Sequence, residues 1–503
     1  MYETTHLSAS ARGLLGDVDE LVSQGWITAT GPASLDVVDP STGSTVGTVP
    51  TSSAADVSAA VTRARTAFDS GAWSSLSPPE RSRHLHRLTD VLTSHASELA
   101  EIGTLEVGSP ITLSRGLHAG APISFFRWWA DAALRGPMGG YEEGLGLSEA
   151  PVMAMSTLFR EPIGVVAAIA AYNFPLLITS FKVGGALAAG CTSVLMPSAR
   201  TPLSAIAFLS CVREAELPPG AVTLVLGEAE VGTALTTAPG VDMVTFTGSV
   251  GVGRKVMEQA SRGLKKVVLE LGGKSPNVLL PSAHLASAVG PSILRYIRNS
   301  GQGCGATTRT IVPREWYDDY AAAAKEFIGG ITVGDPWDEG TDLGPLIRAD
   351  HRDRVQGYVD RAVDEGAVVL AGGGRPSVDN GGFYLNPALI GGVDNDAEIC
   401  QEELFGPIGV LLPYDSVEEA LAIANGTRYG LNANVWGATD EAMRFARQLK
   451  AGTVTINGGG ADRPDAPWPG AGDSGVGIDR GMEGFREFFH IRHVQFPLAP
   501  VGR

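Results

Sequence analysis

Cysteine is scarce in this chain, with four thiols at positions 191, 211, 304 and 400 among 503 residues. So few, so widely spaced, they cannot form a disulfide framework, and a chain of this length can bury its own cores without one. The opening "MYETTHLSAS" lacks the basic and apolar segments of an export signal, so the expected setting is reducing and cytoplasmic. Positive charge is also short. The 38 Lys and Arg face 55 Asp and Glu, a formal charge of −17 with no basic run to interrupt it. A phosphate backbone or an anionic bilayer would repel such a surface, so neither nucleic acid nor membrane is an expected partner. A metal is not expected either. His84 and His86 are two apart on a helix and face different ways, His490 and His493 fall in the tail, and no Cys, His and carboxylate cluster has ligand spacing.

Only one stretch imitates a membrane span. Residues 162–181 carry no charge over 20 positions, long enough to cross a bilayer as a helix. Their interior argues against it, because "GVVAAIAA" is a β-rich apolar run and "YNFP" then sets Asn and Pro where a helix would continue. The reading is strand, sharp turn, helix.

The same alternation continues. Apolar strand candidates at 164–171, 192–196, 222–226, 243–246 and 266–271 are separated by helical stretches such as 176–189 and 202–215. Short apolar strands without in/out alternation predict a parallel sheet covered on both faces, hence an α/β fold. Two helical stretches precede it, 53–69 and 79–106, the second with Ser77 as cap and Pro78 in the first turn. A second α/β set spans about 275–465, with strands near 277–280, 309–312, 408–412 and 453–456, and two such halves leave a cleft for a ligand. Residues 136–156 and the tail "FFHIRHVQFPL" read as exposed strands, of the kind normally paired with another chain. No fixed-period repeat is evident.

Three residues stand out chemically. Cys304 sits in "NSGQGCGATT", among three glycines and no apolar neighbours, which suggests access rather than packing and a thiol that backbone dipoles can activate. Gly301, Gly303 and Ala306 spell a dinucleotide fingerprint there, but the preceding "ILRYIRNS" is helical, so the match is set aside. Glu270 ends a strand in "VVLELGGKSP", either as partner of Lys274 or as a general base at the carboxyl end of a parallel sheet. Asn173, in "AYNFP", makes either an Asx turn or an amide donor to a developing oxyanion.

In order and spacing, "AYNFPL", "FTGSVGVG", "LELGGKSPN", "GQGC", "EELFGP", "YGLNANV", "AGTVTIN" and "GDSGVG" make the chain resemble the aldehyde dehydrogenase superfamily over nearly its whole length. The resemblance implies a Rossmann-like cofactor domain at 1–136 and 157–272, a catalytic α/β domain at 273–470, and an oligomerisation arm at 137–156 and 471–503. It implies NAD(P)-dependent oxidation of an aldehyde to a carboxylic acid. Cys304 would be the nucleophile, its N–H and the Asn173 amide would hold the oxyanion, Glu270 would activate the hydrolytic water, and Lys182 would assist proton transfer. Glu403 would hold the nicotinamide ribose and Phe405 would pack beside the nicotinamide. Ser249, with Gly248, would open a helix under the pyrophosphate; Tyr172, Gly227, Thr247 and Leu271 would complete that site. The implied assembly is a homodimer or homotetramer.

Departures from the family pattern bear on the cofactor and the pocket. The turn usually reading Lys-Pro-Ser-Glu is here Met196, Pro197, Ser198 and Ala199, so both ribose hooks are missing, and Arg200 follows where it could pair with a 2′-phosphate. NAD is expected, with NADP possible. Tyr172 replaces a Trp, and "PFGG" becomes "PWPG". Phe174, Ile178, Phe181, Gly303 and Gly305 are expected to line an apolar pocket, without an evident Arg or Lys, for a medium-sized hydrophobic or aromatic aldehyde. The alternatives are a CoA-acylating enzyme, which Glu270 argues against, and a non-catalytic family member.

Overall fold

Strand Val165–Ile169 is buried along its whole length and carries the first sheet on both its edges. In the computed structural model, which describes residues 6–16, 18–31, 33–137, 139–148, 153–378, 380–459 and 463–498, five strands run parallel. Their order across the sheet is Val222–Leu224, Thr192–Met196, Val165–Ile169, Met243–Thr247 and Lys266–Glu270. Apolar side chains on both faces need two covering layers. Helices Pro175–Ala189 and Leu203–Glu214 pack into the core on one side, and Ala54–Asp69, Ala229–Thr237 and Val250–Ser261 into that on the other. The chain builds outward from Val165–Ile169 in one direction and then returns to add Met243–Thr247 on its other edge. A crevice opens at such a switch point, beyond the strands' carboxyl ends. Asn173, Ser249 and Glu270 all leave the sheet there.

The second sheet has seven strands, in the order Val368–Gly372, Ala388–Gly391, Ile408–Tyr414, Arg309–Pro313, Pro276–Leu279, Asn432–Trp436 and Thr453–Ile456. Four match the sequence reading. The other three have no counterpart in that reading: Val368–Gly372, an apolar run, is an antiparallel edge, Ala388–Gly391 has only four residues, and Asn432–Trp436 carries two asparagines. Asparagine is poor in strands unless its amide is satisfied. Here Asn434 donates to Asn277 Oδ1 at 2.8 Å and Asn432 to the Gly305 carbonyl at 2.8 Å.

The helix expected over 79–106 is two, Pro78–Ser94 and Ala96–Val107, broken at His95, whose ring meets Glu214 at 2.9 Å. Ser77 does start the first one, through a reciprocal capping box with Glu80. Strands Glu142–Ser148, Ala154–Pro162 and Phe489–Pro497 form a separate antiparallel sheet with Ala154–Pro162 in the middle. The arm therefore continues past the expected limit at 156 to Pro162. The expected return of the chain to the arm at 471 is also early, since Gly475–Val476 pairs with Lys266–Glu270 and Phe485 is buried in the first domain's core. Positions 138, 149–152 and 499–503 of the expected arm lie outside the described residues. Among the described residues no helix is long and apolar enough to cross a membrane. Residues 162–181 are a strand, a turn and a helix, as read from the sequence.

Helix Leu203–Glu214 has no side-chain cap of its own. Glu106, fully buried, supplies one by accepting from the N–H groups of Leu203 (2.7 Å) and Ser204 (2.9 Å) and from the Ser204 hydroxyl. Burial pushes its carboxyl up to about 7 against those three donors. A carboxyl raised on folding stabilises most below its unfolded value and loses that contribution as pH rises through its folded one. Glu106→Ala is expected to lower stability by about 3 kcal/mol near pH 5, because two buried N–H groups lose their acceptor, and by less at about pH 8. Urea unfolding at the two pH values checks both size and sign.

Candidate active site

The glycine-rich stretch is a tight turn rather than an open loop. After helix Leu285–Ile297, Asn299, Ser300 and Gly301 all take left-handed angles, with φ of 54°, 55° and 73°. Two non-glycine residues there cost on the order of 1–3 kcal/mol each and persist only if fixed from outside. Asn299 Nδ2 donates to the Asn173 carbonyl at 3.1 Å, and the Ser109 hydroxyl donates to Asn299 Oδ1. Ser300 Oγ reaches the Gly344 carbonyl at 2.7 Å. At Gly301 a β-carbon would overlap the Gly406 carbonyl, so only glycine fits. Gln302 ties the turn to the oxyanion candidate, its carbonyl accepting from Asn173 Nδ2 at 3.0 Å while its Oε1 accepts from Ile347 N–H at 3.0 Å. Asn173 is thus buried and bonded across to the thiol loop, not folded into an Asx turn.

Cys304 faces Glu270. Glu270 Oε1 accepts from the Trp468 indole N–H at 3.2 Å, and the Cys304 thiol and the Glu270 carboxyl lie near enough for each to shift the other's proton. Burial, then the Asp479 carboxylate, pushes Glu270 up to about 7; Cys304, the Trp468 bond and the Lys182 charge pull it down. Burial and the Glu270 charge push the Cys304 thiol well above its usual value, and the Gly305 N–H offsets this only in part. The expected activation by backbone dipoles is therefore outweighed in the resting site. Burial also pushes up Cys191, to about 12, and Cys400, to about 11, and both are enclosed in the protein interior.

Lys182 is fully buried and bonded to Asp479 Oδ2 and Thr245 Oγ1, each at 3.0 Å. The alternative partner of Glu270, Lys274, lies instead in the field of Cys400, Arg309 and Glu403, pushed down to about 8 by burial. Asp479 has no sequence signal of its own, since "GIDRG" reads as a surface turn. Gln302 and Asn299 were within the quoted thiol motif but without a role.

The cofactor candidates line the crevice beyond the first sheet. Ser249 caps helix Val250–Ser261 through the Val252 N–H at 3.4 Å, leaving the Val250 and Gly251 N–H groups for an outside anion. Thr247 is buried at the end of its strand, and the Gly248 N–H donates to the Glu270 carbonyl at 3.1 Å. Gly227 sits where a β-carbon would strike Val231, and Leu271 packs over Gly253. Met196 is buried beside Gly232. In the turn that follows, the Ser198 hydroxyl accepts from the Arg200 N–H at 3.3 Å and Ala199 is half-buried. The Arg200 guanidinium lies 5.4 Å from the Tyr172 ring centroid and 4.0 Å from Asp350. Tyr172 in turn meets the ring of Phe405 at 5.8 Å. Glu403 accepts from the Gly273 N–H at 3.0 Å, and burial raises it to about 7.

The pocket candidates divide. Phe174 packs 5.7 Å from the buried His118 ring, Ile178 is buried, and Gly303 faces open space. Gly305 is not open, because the Trp468 ring covers it. A guanidinium is present after all. Arg480 stacks 5.2 Å from Phe181, 5.6 Å from Phe125 and 4.7 Å from Trp468. Among the described residues there is no cluster able to hold a metal.

Residues 26–494 match the profile of the aldehyde dehydrogenase family. The chain is 36% identical to geranial dehydrogenase of Castellaniella defragrans over 473 residues, covering 93% of this chain and 96% of that one. It is 35% identical to betaine aldehyde dehydrogenase of Bacillus subtilis, covering 95% and 97%. Among solved structures it resembles a variant of aldehyde dehydrogenase C from Pseudomonas syringae complexed with NAD+ and octanal, at 39% identity, TM-score 0.89 and coverage of 94% and 96%. It also resembles betaine aldehyde dehydrogenase from Staphylococcus aureus complexed with NAD+, at 31% identity, TM-score 0.91 and coverage of 97% and 98%.

If the Glu270 charge holds the proton on Cys304, removing that charge should free the thiolate. Glu270→Gln is expected to raise the rate of iodoacetamide labelling of Cys304 at about pH 8 by roughly threefold or more. Mass spectrometry of the labelled peptide checks this, with the buried Cys191, Cys211 and Cys400 as the internal reference. Slower labelling would mean that Glu270 draws the proton off the resting thiol.

Proposed function

The chain belongs to the aldehyde dehydrogenase family, and from that premise we propose that it oxidises a neutral, medium-length apolar aldehyde to its carboxylic acid with NAD. The observation that carries the reading is the buried Glu270 carboxyl, held by the Trp468 indole N–H at 3.2 Å and lying within the field of the Cys304 thiol. The residues present fit the cofactor. A capped helix N-terminus offers two N–H groups that would hold a pyrophosphate, and Glu403 and Phe405 would stand on the nicotinamide side.

Cys304, its proton released to solvent as the aldehyde enters, adds its sulfur to the aldehyde carbon. The carbonyl electrons move to oxygen, which the Cys304 N–H and the second N–H of the Asn173 amide, the first being bonded to the Gln302 carbonyl, would hold. NAD held there would supply the hydride acceptor, and loss of hydride from the carbon leaves a thioester on Cys304. Ionised Glu270 then removes a proton from water as its oxygen attacks the thioester carbon; the carbon–sulfur bond breaks and the thiolate leaves. Lys182 and Asp479, ion-paired at 3.0 Å within the field of Glu270, give the proton a polar route away.

A CoA-acylating reaction would have no use for this base. A cationic aldehyde, the substrate type named for the betaine aldehyde relatives, is disfavoured by Arg480, which already occupies the faces of Phe181 and Trp468. The octanal complex and geranial dehydrogenase support the neutral apolar class. Met196 and Ala199 leave no carboxylate to repel a 2′-phosphate, so NADP should also be used, less well than NAD. The outer strands Glu142–Ser148 and Phe489–Pro497 leave edges free, with Leu147 61% and Ile491 67% exposed, which favours a homodimer or homotetramer joined there.

Glu270→Gln should release one equivalent of reduced cofactor from octanal and then stall with an acyl group on Cys304. Rapid-mixing absorbance with intact-mass analysis reads both, and sustained turnover would remove Glu270 as the base. Ala199→Glu is expected to move the ratio of kcat/KM toward NAD over NADP by roughly tenfold or more, about 1.4 kcal/mol. An unchanged ratio would place the adenosine ribose elsewhere.

A further inference from the structure

We propose that Trp468 is a positioning residue for the hydrolytic half-reaction, its indole N–H fixing the Glu270 carboxyl against the thiol loop and Arg480 locking the indole in place. This rests on the reading of Glu270 as the deacylating base. Trp468–Pro469 pairs antiparallel with Ile478–Asp479, and Trp468 lies directly opposite Asp479. Residues opposed in this way project to the same side. One short pairing therefore brings two groups to Glu270: the indole that bonds its Oε1 at 3.2 Å, and the carboxylate that holds Lys182 at 3.0 Å.

The indole touches both partners of the reaction. While its N–H reaches Glu270, its six-membered ring packs so closely on the thiol loop that a β-carbon at Gly305 would lie 3.0 Å from it. Indole N–H is a donor only, so it bonds a carboxyl oxygen without taking Glu270's proton and favours the ionised, basic form. A phenyl ring would fill much of the same space and offer no donor.

Arg480 accounts for the fixed ring. It adopts φ of 66°, a conformation a side chain of this size rarely takes, and is 7% exposed. Its guanidinium stacks on the indole at 4.7 Å while also facing Phe181 and Phe125. A cation on the face of Trp468 opposes rotation of the ring and strengthens its N–H as a donor.

The test replaces Trp468 in the full-length enzyme with 3-benzothienylalanine, which keeps the bicyclic shape but exchanges N–H for sulfur, alongside Trp468→Phe. With octanal and NAD, both variants are expected to give a first-turnover burst at close to the unsubstituted rate and a later steady rate roughly tenfold lower. The acid limb of kcat should also move to higher pH, since a donor favouring ionised Glu270 is gone. Burst and steady rate falling in equal proportion, or the benzothienyl enzyme keeping both its steady rate and its acid limb, would overturn the proposal. Glu270→Gln, run in parallel, separates the two layers. If it stalls after one turnover while the benzothienyl enzyme behaves as unsubstituted, only the Trp468 role fails; if Glu270→Gln turns over freely, the base reading fails with it.

Discussion

Two acids face each other in a site largely closed to water, and most of the surrounding structure serves that arrangement. A buried thiol and carboxyl that feel each other's charge cannot both ionise cheaply, so the proton stays on Cys304 while Glu270 is held near the middle of the pH range. The resting enzyme consequently keeps its nucleophile quiet. An aldehyde carbon that accepts the sulfur removes the cost of the thiolate, and the same carboxyl is then ready for the proton of a water molecule. In the proposed reaction Glu270 suits the hydrolytic half because its neighbours push in opposite directions, burial and Asp479 upward, Cys304, Trp468 and Lys182 downward.

Holding that arrangement requires both halves of the fold. Glu270 ends the last parallel strand of the first sheet, whereas Cys304 stands between a helix and a strand of the second. The strained left-handed turn at Asn299–Gly301 is the link, fixed by the Asn173 carbonyl from the first domain and by Ser109 from the helical layer covering it. Ser109 also meets the buried His118, in the π-helical turn Arg115–Gly120. Strain at the nucleophile is thus supported by hydrogen bonds drawn from three parts of the chain.

Much of this was legible in the sequence where a single segment carries its own signal. The five parallel strands of the first sheet could be read because each is a short run dominated by apolar and β-branched residues, and Cys304, Glu270 and Asn173 could be singled out because each stands at or just beyond the end of a strand or in a glycine turn. What escaped depends on partners far along the chain. Strand Asn432–Trp436 looks polar until Asn277 and Gly305 satisfy its amides. Asp479 and Arg480 look like turn residues until a two-residue pairing sets them behind Lys182 and Trp468. Gly305 looks open until an indole from residue 468 covers it.

All of the proposed chemistry turns on a covalent bond to the Cys304 sulfur. The most direct measurement is turnover of octanal by Cys304→Ala, followed as reduced cofactor, with NAD binding measured on the same protein by calorimetry. Loss of oxidation with NAD affinity nearly intact is the expected result, because only the nucleophile is removed. Turnover within about tenfold of the unsubstituted enzyme, or 1.4 kcal/mol of barrier, would show that the aldehyde is oxidised without Cys304 and that the glycine turn has another purpose.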